Sequence, residues 1–299
     1  MTDHLTSVFR GARHCPRRRP LVPLWLLLSL PLAAGVPGQT QGGGPQSPPP
    51  ADPLPKILAK ANEYCRRLGT ASLSFICRER IDERQFSPPL RIFSALASGE
   101  PKRVTRVTLE YDYQLTRKGE SIEEKRILLK ENKQSRNEPD AALKTKLYKH
   151  QNLVFGPVGL LSEYWQPRHS YTYLGEQKVE GEKVFLVEAA AAGRPEPNLV
   201  YGKAWIRQKD FAIVKIEWDQ RCLGNYDQIL EMAKTIGHQA EPRISVIGYY
   251  GIEKNGIRFP DRLAIREDYG STRGTFRVSE TTVLYTDYKF FVVETEVRY

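Results

Sequence analysis

Residues 107–115 alternate between apolar and polar side chains, and this pattern constrains the fold more than any other feature of the chain. Successive side chains of a β-strand point to opposite faces, so the alternation predicts a strand with one buried and one solvent-facing side. From Val104 onward the chain is predicted to be almost wholly β-structure. The apolar face carries Val107, Leu109, Tyr111, Tyr113 and Leu115, and the polar face carries Thr108, Glu110, Asp112 and Gln114.

Tight-turn signals separate the predicted strands. Glu180-Gly181 and Asn255-Gly256 each lie between alternating segments, and Asn-Gly is the strongest short hairpin signal available. Strands joined by tight turns pair antiparallel, so we predict one antiparallel meander of about nine or ten strands.

The stretch Tyr201–Gln220, YGKAWIRQKDFAIVKIEWDQ, predicts two further strands around a turn at Gln208–Asp210. The second strand is predicted to place its branched and aromatic residues on one face and most of its charge on the other. The first set is Val214, Ile216 and Trp218, and the second is Ile213, Lys215 and Glu217.

Three helices are predicted beside the strands. The first begins at Leu54, repeats apolar residues at helical spacing and ends near Gly69. The second is a short apolar segment, Phe155–Trp165, and the third is Asn225–Gly237 with Asn225 as N-cap. The fold class is therefore mainly β with a few helices, of the α+β type.

The N-terminus predicts export. Residues 1–36 combine five arginines with an apolar run that ends in small residues, which is typical of a signal peptide. The alternative is a membrane anchor, but the run is only about 15 residues and contains Pro23 and Pro31, against about 20 residues for a spanning helix. Residues 37–53 are rich in Pro and Gly and are predicted to be a disordered tether before a domain at 54–299. The predicted location is the periplasm, with secretion as the alternative.

Charge and cysteines limit the partners. The net charge is +10, and residues 1–36 carry +4 of it with five Arg and one Asp. The remaining +6 favours anionic membrane surfaces or serves solubility, and no nucleic-acid motif is present. In an oxidising compartment Cys65 and Cys77 are predicted to form a disulfide, because one ends the first helix and the other lies in the next strand. The alternative is that both are buried free thiols with Cys222, which we predict to be unpaired.

No motif predicts catalysis, a cofactor or a metal site. His150, His169 and His238 lie outside zinc-binding spacings, and a G-x-S-x-G elbow and phosphate loops are absent. Pairs such as Glu123-Glu124 and Glu267-Asp268 are interpreted as solvated faces, although two facing carboxylates would suit glycosidic chemistry. We therefore predict a protein that is not an enzyme.

The order of turns and strands resembles the LolA-like outer-membrane lipoprotein-sorting superfamily. The resemblance covers about 104–299 and the opening helix. It implies an antiparallel sheet curved into an unclosed half-barrel, with helices on its concave face, in proteins that carry lipoprotein acyl chains, bind other lipids or act as periplasmic sensors. The matching positions are Gly175, Val179, Gly181 and Val184; then Gly202, Trp205, Asp210, Val214 and Glu217; then Asn255, Gly256, Phe259, Pro260 and Ile265.

The apolar residues of such a sheet either fill its core or line a cleft. A buried acyl chain gains about 0.8 kcal/mol per methylene, so an apolar cleft under a lid at Phe155–Trp165 would bind lipid without special chemistry. We predict binding of lipid or lipoprotein acyl chains; the alternative is a sensor or protein-interaction scaffold whose cleft is filled. The candidate cleft residues are Leu109, Tyr111, Tyr113, Phe155, Leu160, Leu161, Trp165, Trp205 and Trp218.

Overall fold

The computed structural model describes residues 52–71, 73–86, 104–118, 121–193, 199–223, 226–235, 242–271 and 274–291. The predicted signal peptide and nearly all of the predicted tether lie outside these residues. The described part contains three α-helices: α1 (Leu54–Thr70), α2 (Gly156–Leu161) and α3 (Tyr226–Thr235). Its strands are β1 (Ser74–Phe86), β2 (Val104–Lys118), β3 (Ser121–Glu131), β4 (Gln134–Glu138), β5 (His169–Val179), β6 (Glu182–Ala191), β7 (Gly202–Arg207), β8 (Ile213–Trp218), β9 (Pro242–Tyr249), β10 (Ile252–Lys254), β11 (Ile257–Phe259), β12 (Arg262–Ser271) and β13 (Gly274–Phe290).

Eleven strands form one sheet in the order β4-β3-β2-β1-β13-β12-β9-β8-β7-β6-β5, and every neighbouring pair is antiparallel. The first and last strands in this order, β4 and β5, do not pair with each other in the described part of the chain. The predicted antiparallel sheet that is not closed into a barrel is therefore confirmed. The predicted meander of about nine or ten strands is wrong, because eleven strands form the sheet and β1 pairs with β13.

The predicted turns occur where their backbone conformation requires them. Glu180-Gly181 joins β5 to β6 with φ of 50° and 86°, and Asn255-Gly256 joins β10 to β11 with φ of 53° and 71°. Two successive positive φ values match the twist of a two-residue hairpin. The second hairpin nevertheless forms a separate two-stranded sheet, because β9 pairs directly with β12 and not through β10 and β11.

One face of the large sheet, here called the inner face, carries the main core together with α1 and α2. Helix α1 turns Ile57, Ala61, Tyr64, Cys65 and Leu68 into this core, at the three- and four-residue spacing of one helical face. The helix continues one residue beyond Gly69, and Ala71 closes it by donating its N–H to the Arg67 carbonyl at 3.0 Å. No helix in the described residues is long and apolar enough to span a membrane.

The predicted faces of β8 are partly wrong. Ile213, Ile216 and Trp218 join the main core, whereas Val214 packs with Trp205 in a smaller cluster. The pairing of β7 with β8 shifts register between Trp205 and Ile206. A bulge of this kind inserts an extra residue into one strand, so strict alternation does not hold across it.

The predicted Cys65–Cys77 disulfide is also wrong, because both cysteines are free and buried. The thiol of Cys65 points from α1 to α2 and donates to the Pro157 carbonyl at 3.3 Å. Cys77 lies on β1 in the same core, where burial raises the pKa of both thiols. Cys222 is free as predicted, with its sulfur 3.2 Å from the Tyr201 amide nitrogen.

Candidate functional site

The chain between β4 and α2 includes a segment without helices or strands, and this segment covers part of the inner face. We call residues 141–152 the strap. It is held mainly by side chains of the sheet: Glu83 on β1 accepts the N–H groups of Lys146 and Leu147 at 3.1 and 3.2 Å. Tyr148 donates its hydroxyl to Glu267 on β12 at 2.9 Å. The strap is therefore fastened to strands that lie on both sides of β13.

The centre of this attachment is a buried ion pair. Glu79 on β1 has no exposed side-chain surface, and it accepts from Arg126 Nε at 2.7 Å and from Nη2 at 3.2 Å. The His150 Nε2 of the strap lies 2.9 Å from the same carboxylate. Burial alone would raise the pKa of Glu79, but Arg126 and His150 outweigh it and hold this pKa well below its ordinary range. Glu79 is therefore a carboxylate, and it links the sheet to the strap.

Aromatic and acidic side chains complete the network around Arg126. Its guanidinium carbon lies 4.7 Å from the Tyr113 ring centroid, within cation–π range. The Tyr113 hydroxyl donates to Glu124 at 2.5 Å, and the Asn152 N–H donates to the same oxygen at 2.6 Å. Burial, followed by the nearby Glu124 charge, raises the pKa of Tyr113, so this phenol stays protonated and remains a donor.

An open groove lies where the strap meets β3. Its volume is about 660 Å³, a size typical of small-molecule sites. The lining combines charged residues with apolar ones. The lining residues are Ile122, Glu124, Lys125, Arg126, Asp140, Ala141, Ala142, Leu143, Lys149, His150, Gln151 and Asn152.

The segment after the strap covers the apolar half of the inner face. Phe155, Leu160 and Leu161, around and within α2, are fully buried in the main core, as is nearly all of Trp218 below them. A Cβ at Gly156 would lie 2.8 Å from Trp218 Cζ2 and 2.6 Å from the Tyr250 hydroxyl. Only glycine permits this approach, so α2 is packed tightly on the sheet.

The structure separates the nine predicted cleft residues. Leu109, Tyr111, Tyr113, Phe155, Leu160, Leu161 and Trp218 join the main core. Trp205 packs with Val184, Leu186 and Val214 in a second cluster, and Trp165 packs with Leu199 and Tyr201 in a third. All nine are buried, so they do not line one open cleft in this conformation. Their role in contacting a ligand stays a prediction.

Sequence reasoning missed the buried carboxylates of the site. Glu267 and Glu124 were interpreted as solvated, yet Glu267 is buried and the Glu124 side chain is 12% exposed. A local signal existed in β1, where Glu79 and Glu83 share the strand parity of Phe75, Cys77 and Ile81. An acidic residue in the apolar phase of a strand indicates a buried partner, because unpaired buried charge is strongly unfavourable. In the described residues, no group of three or more His, Cys, Asp or Glu is arranged to hold a metal ion.

Comparisons with known proteins give structural likenesses only. No protein-family profile matches the chain, and no curated protein matches it by sequence. A putative outer membrane lipoprotein-sorting protein domain from Vibrio parahaemolyticus is 10% identical, with a TM-score of 0.37, and the match covers 81% of this chain and 95% of that one. A LolA superfamily protein from Nitrosomonas europaea is 12% identical over 80% and 94% of the two chains, with a TM-score of 0.31.

A third similar structure is the Pseudomonas aeruginosa MucA/MucB complex, matched at 7% identity over 80% of this chain and all of that chain, with a TM-score of 0.23. The chain is thus similar to solved structures that include a lipoprotein-sorting domain and a LolA superfamily protein.

Proposed function

We propose that this protein is an exported, non-enzymatic binding protein of the cell envelope that holds an acyl chain against the inner face of its sheet. The observation that carries the proposal is the arrangement of residues 141–161, which comprise the strap, Leu153–Phe155 and α2 and which we call the cover. The strap, α2 and the turns beside it supply no strand to the eleven-stranded sheet, although they bury its apolar inner side chains. The cover can therefore move away from the sheet while the strand pairing stays intact.

Opening the cover has a cost that a bound acyl chain must offset. Hydrogen bonds of the strap to Glu79, Glu83, Glu124 and Glu267 would break. The buried side chains of Phe155, Leu160 and Leu161 would leave the main core. About ten buried methylenes of an acyl chain would contribute about 8 kcal/mol against this cost. We therefore expect the unliganded protein to stay closed.

A non-enzymatic role is supported by how the buried carboxylates are used. Glu79 pairs with Arg126, and Glu83 accepts backbone N–H groups of the strap. Glu267 accepts from Tyr148, Tyr269 and Ser279. Carboxylates engaged in this way hold a cover in place and are not directed at a substrate.

Quenching of single tryptophans tests the proposal. Residues 37–299 contain Trp165, Trp205 and Trp218, so replacing two of them by Phe leaves a protein with one reporter. Trp218 and Trp205 are a matched pair: both are nearly buried, but only Trp218 lies in the main core. We expect 9,10-dibromostearic acid to quench the Trp218-only protein and to leave the Trp205-only protein unchanged. Native mass spectrometry of protein purified from its envelope should find bound lipid at near-stoichiometric amounts.

A second candidate is a protein-interaction scaffold with a filled interior. The close approach of Gly156 and Gly248 to the Trp218 ring favours it, because an added Cβ at either glycine would lie 2.8 Å from a ring atom. Absence of both quenching and co-purified lipid would overturn lipid binding and support the scaffold. Equal quenching of both single-tryptophan proteins would indicate surface adsorption and would also count against an internal site.

A further inference from the structure

The outer face of the sheet, opposite the main core, carries a concentration of positive charge at one end. Alternate residues of β1 and β2 point outward there, and the β3–β4 turn lies beside them. We call the six cations at this end the basic patch: Arg78, Arg80, Arg84, Arg106, Lys130 and Lys133. Arg80, Arg106 and Lys130 each expose more than half of their side chains, at 58%, 55% and 51%. The patch is therefore directly accessible from solvent.

Few carboxylates neutralise these cations. Asp82 accepts hydrogen bonds from both Arg84 and Arg106. Glu110 is shared by three other cations of the patch. Arg78, Arg80 and Lys130 lie at 2.9, 3.9 and 3.4 Å from Glu110. Two carboxylates thus serve five cations, and Lys133 adds a sixth. Asp112 and Glu280 flank the patch, so an excess of two positive charges remains when they are included.

A pocket of about 430 Å³ lies within the basic patch, lined in part by Arg80, Thr108, Glu110, Lys130 and Lys133. The β3–β4 turn forms one wall and is held in place, because Asn132 donates its N–H to the Thr108 carbonyl at 2.8 Å. The Asn132 side-chain oxygen accepts the Thr108 N–H in return, at 3.1 Å. Lys133 follows with φ of 70°. Lys133 is therefore positioned by a defined turn, and Lys130 by its place on β3.

We propose that the basic patch docks the protein on a membrane surface through anionic phospholipid headgroups. Arginine and lysine bind phosphate strongly, and basic clusters are attracted to anionic lipid surfaces. The patch extends over neighbouring strands of a sheet face, which suits a surface covered with headgroups. It also lies on the side of the sheet opposite α1 and α2, so docking leaves the cover accessible. The inference rests on the outer face and is independent of lipid in the interior.

Vesicle sedimentation tests the docking. The chain from residue 37 onward is mixed with vesicles of phosphatidylcholine alone or with one-quarter phosphatidylglycerol. We expect binding only to the anionic vesicles and its loss in high salt. The variant Lys130→Glu/Lys133→Glu should bind at least about tenfold more weakly, because each basic residue near such a surface contributes roughly fivefold in affinity.

The matched control is Lys56→Glu/Lys60→Glu, which makes the same change of net charge on exposed positions of α1, on the other side of the sheet. This control should retain binding within about twofold. Equal weakening of both variants would reduce the effect to net charge and overturn the proposal. Binding to neutral vesicles as strong as to anionic ones, or no binding to either, would overturn it as well. Tryptophan quenching by dibromostearic acid reports on the interior separately, so failure of one proposal is distinguishable from failure of the other.

Discussion

Replacing Arg126 by Met removes the cation of the buried pair and leaves Glu79 without its strongest partner. Glu79 is fully buried and the Arg126 side chain is only 10% exposed, so the substitution removes the cation from a buried carboxylate. Breaking a buried ion pair by removing one partner costs about 3–5 kcal/mol. For a domain of this size each kcal/mol lowers the Tm by about 2–4 °C, so we expect Tm to fall by about 10 °C.

An exposed ion pair on the hairpin of β3 and β4 provides the control. Arg136 on β4 pairs with Glu131 at 3.1 Å, but its side chain is 43% exposed. Arg136→Met should therefore change stability by less than about 1 kcal/mol, as is typical of exposed ion pairs. The two variants differ in burial of the pair and not in the type of substitution.

Urea denaturation followed by circular dichroism gives both free energies, and a double-mutant cycle tests the cause. Adding Glu79→Gln to Arg126→Met removes the stranded charge, and we expect it to recover about 2 kcal/mol. If Arg126→Met costs no more than Arg136→Met, the carboxylate is solvated in the native protein. That result would refute a closed, water-excluding contact between the strap and the sheet.

Two further predictions concern the same cover. Gly156→Ala should destabilise the protein by about 1–3 kcal/mol through overpacking, because the added Cβ would lie less than 3 Å from atoms of Trp218 and Tyr250. Gly69→Ala is the control and should not destabilise the protein, because no atom lies within 4 Å of its added Cβ. Equal free energies of unfolding for the two variants in urea would contradict the tight packing of α2. The lowered pKa of Glu79 contributes stability that is fully present above the ordinary carboxyl range near pH 4.3 and is lost as the pH falls below it. As the pH is lowered below about 4, we therefore expect the urea midpoint to decrease less steeply in Glu79→Gln than in the parent protein. Identical pH profiles would exclude Glu79 as a contributor to the pH dependence of stability.

Local sequence patterns determined much of the fold. The alternation of residues 107–115 placed Leu109, Tyr111 and Tyr113 on the buried face, because strand periodicity depends only on neighbouring residues. The turns Glu180-Gly181 and Asn255-Gly256 were likewise set by their own backbone conformations. An antiparallel sheet with few helices follows from these local features, whereas its unclosed form was implied only by the resemblance to the LolA-like superfamily.

Only the tertiary structure decided which faces and charges meet. The bulge between β7 and β8 placed Val214 in a cluster separate from Ile216 and Trp218, because strict alternation along a strand does not hold across an inserted residue. The partners of Glu79 lie 47 and 71 residues further along the chain, at Arg126 and His150. Tyr148 and Glu267 are 119 residues apart. Local periodicity decides which side of the sheet a carboxylate faces. It does not decide which residues pack against that carboxylate, because these come from strands and loops that are distant in the sequence.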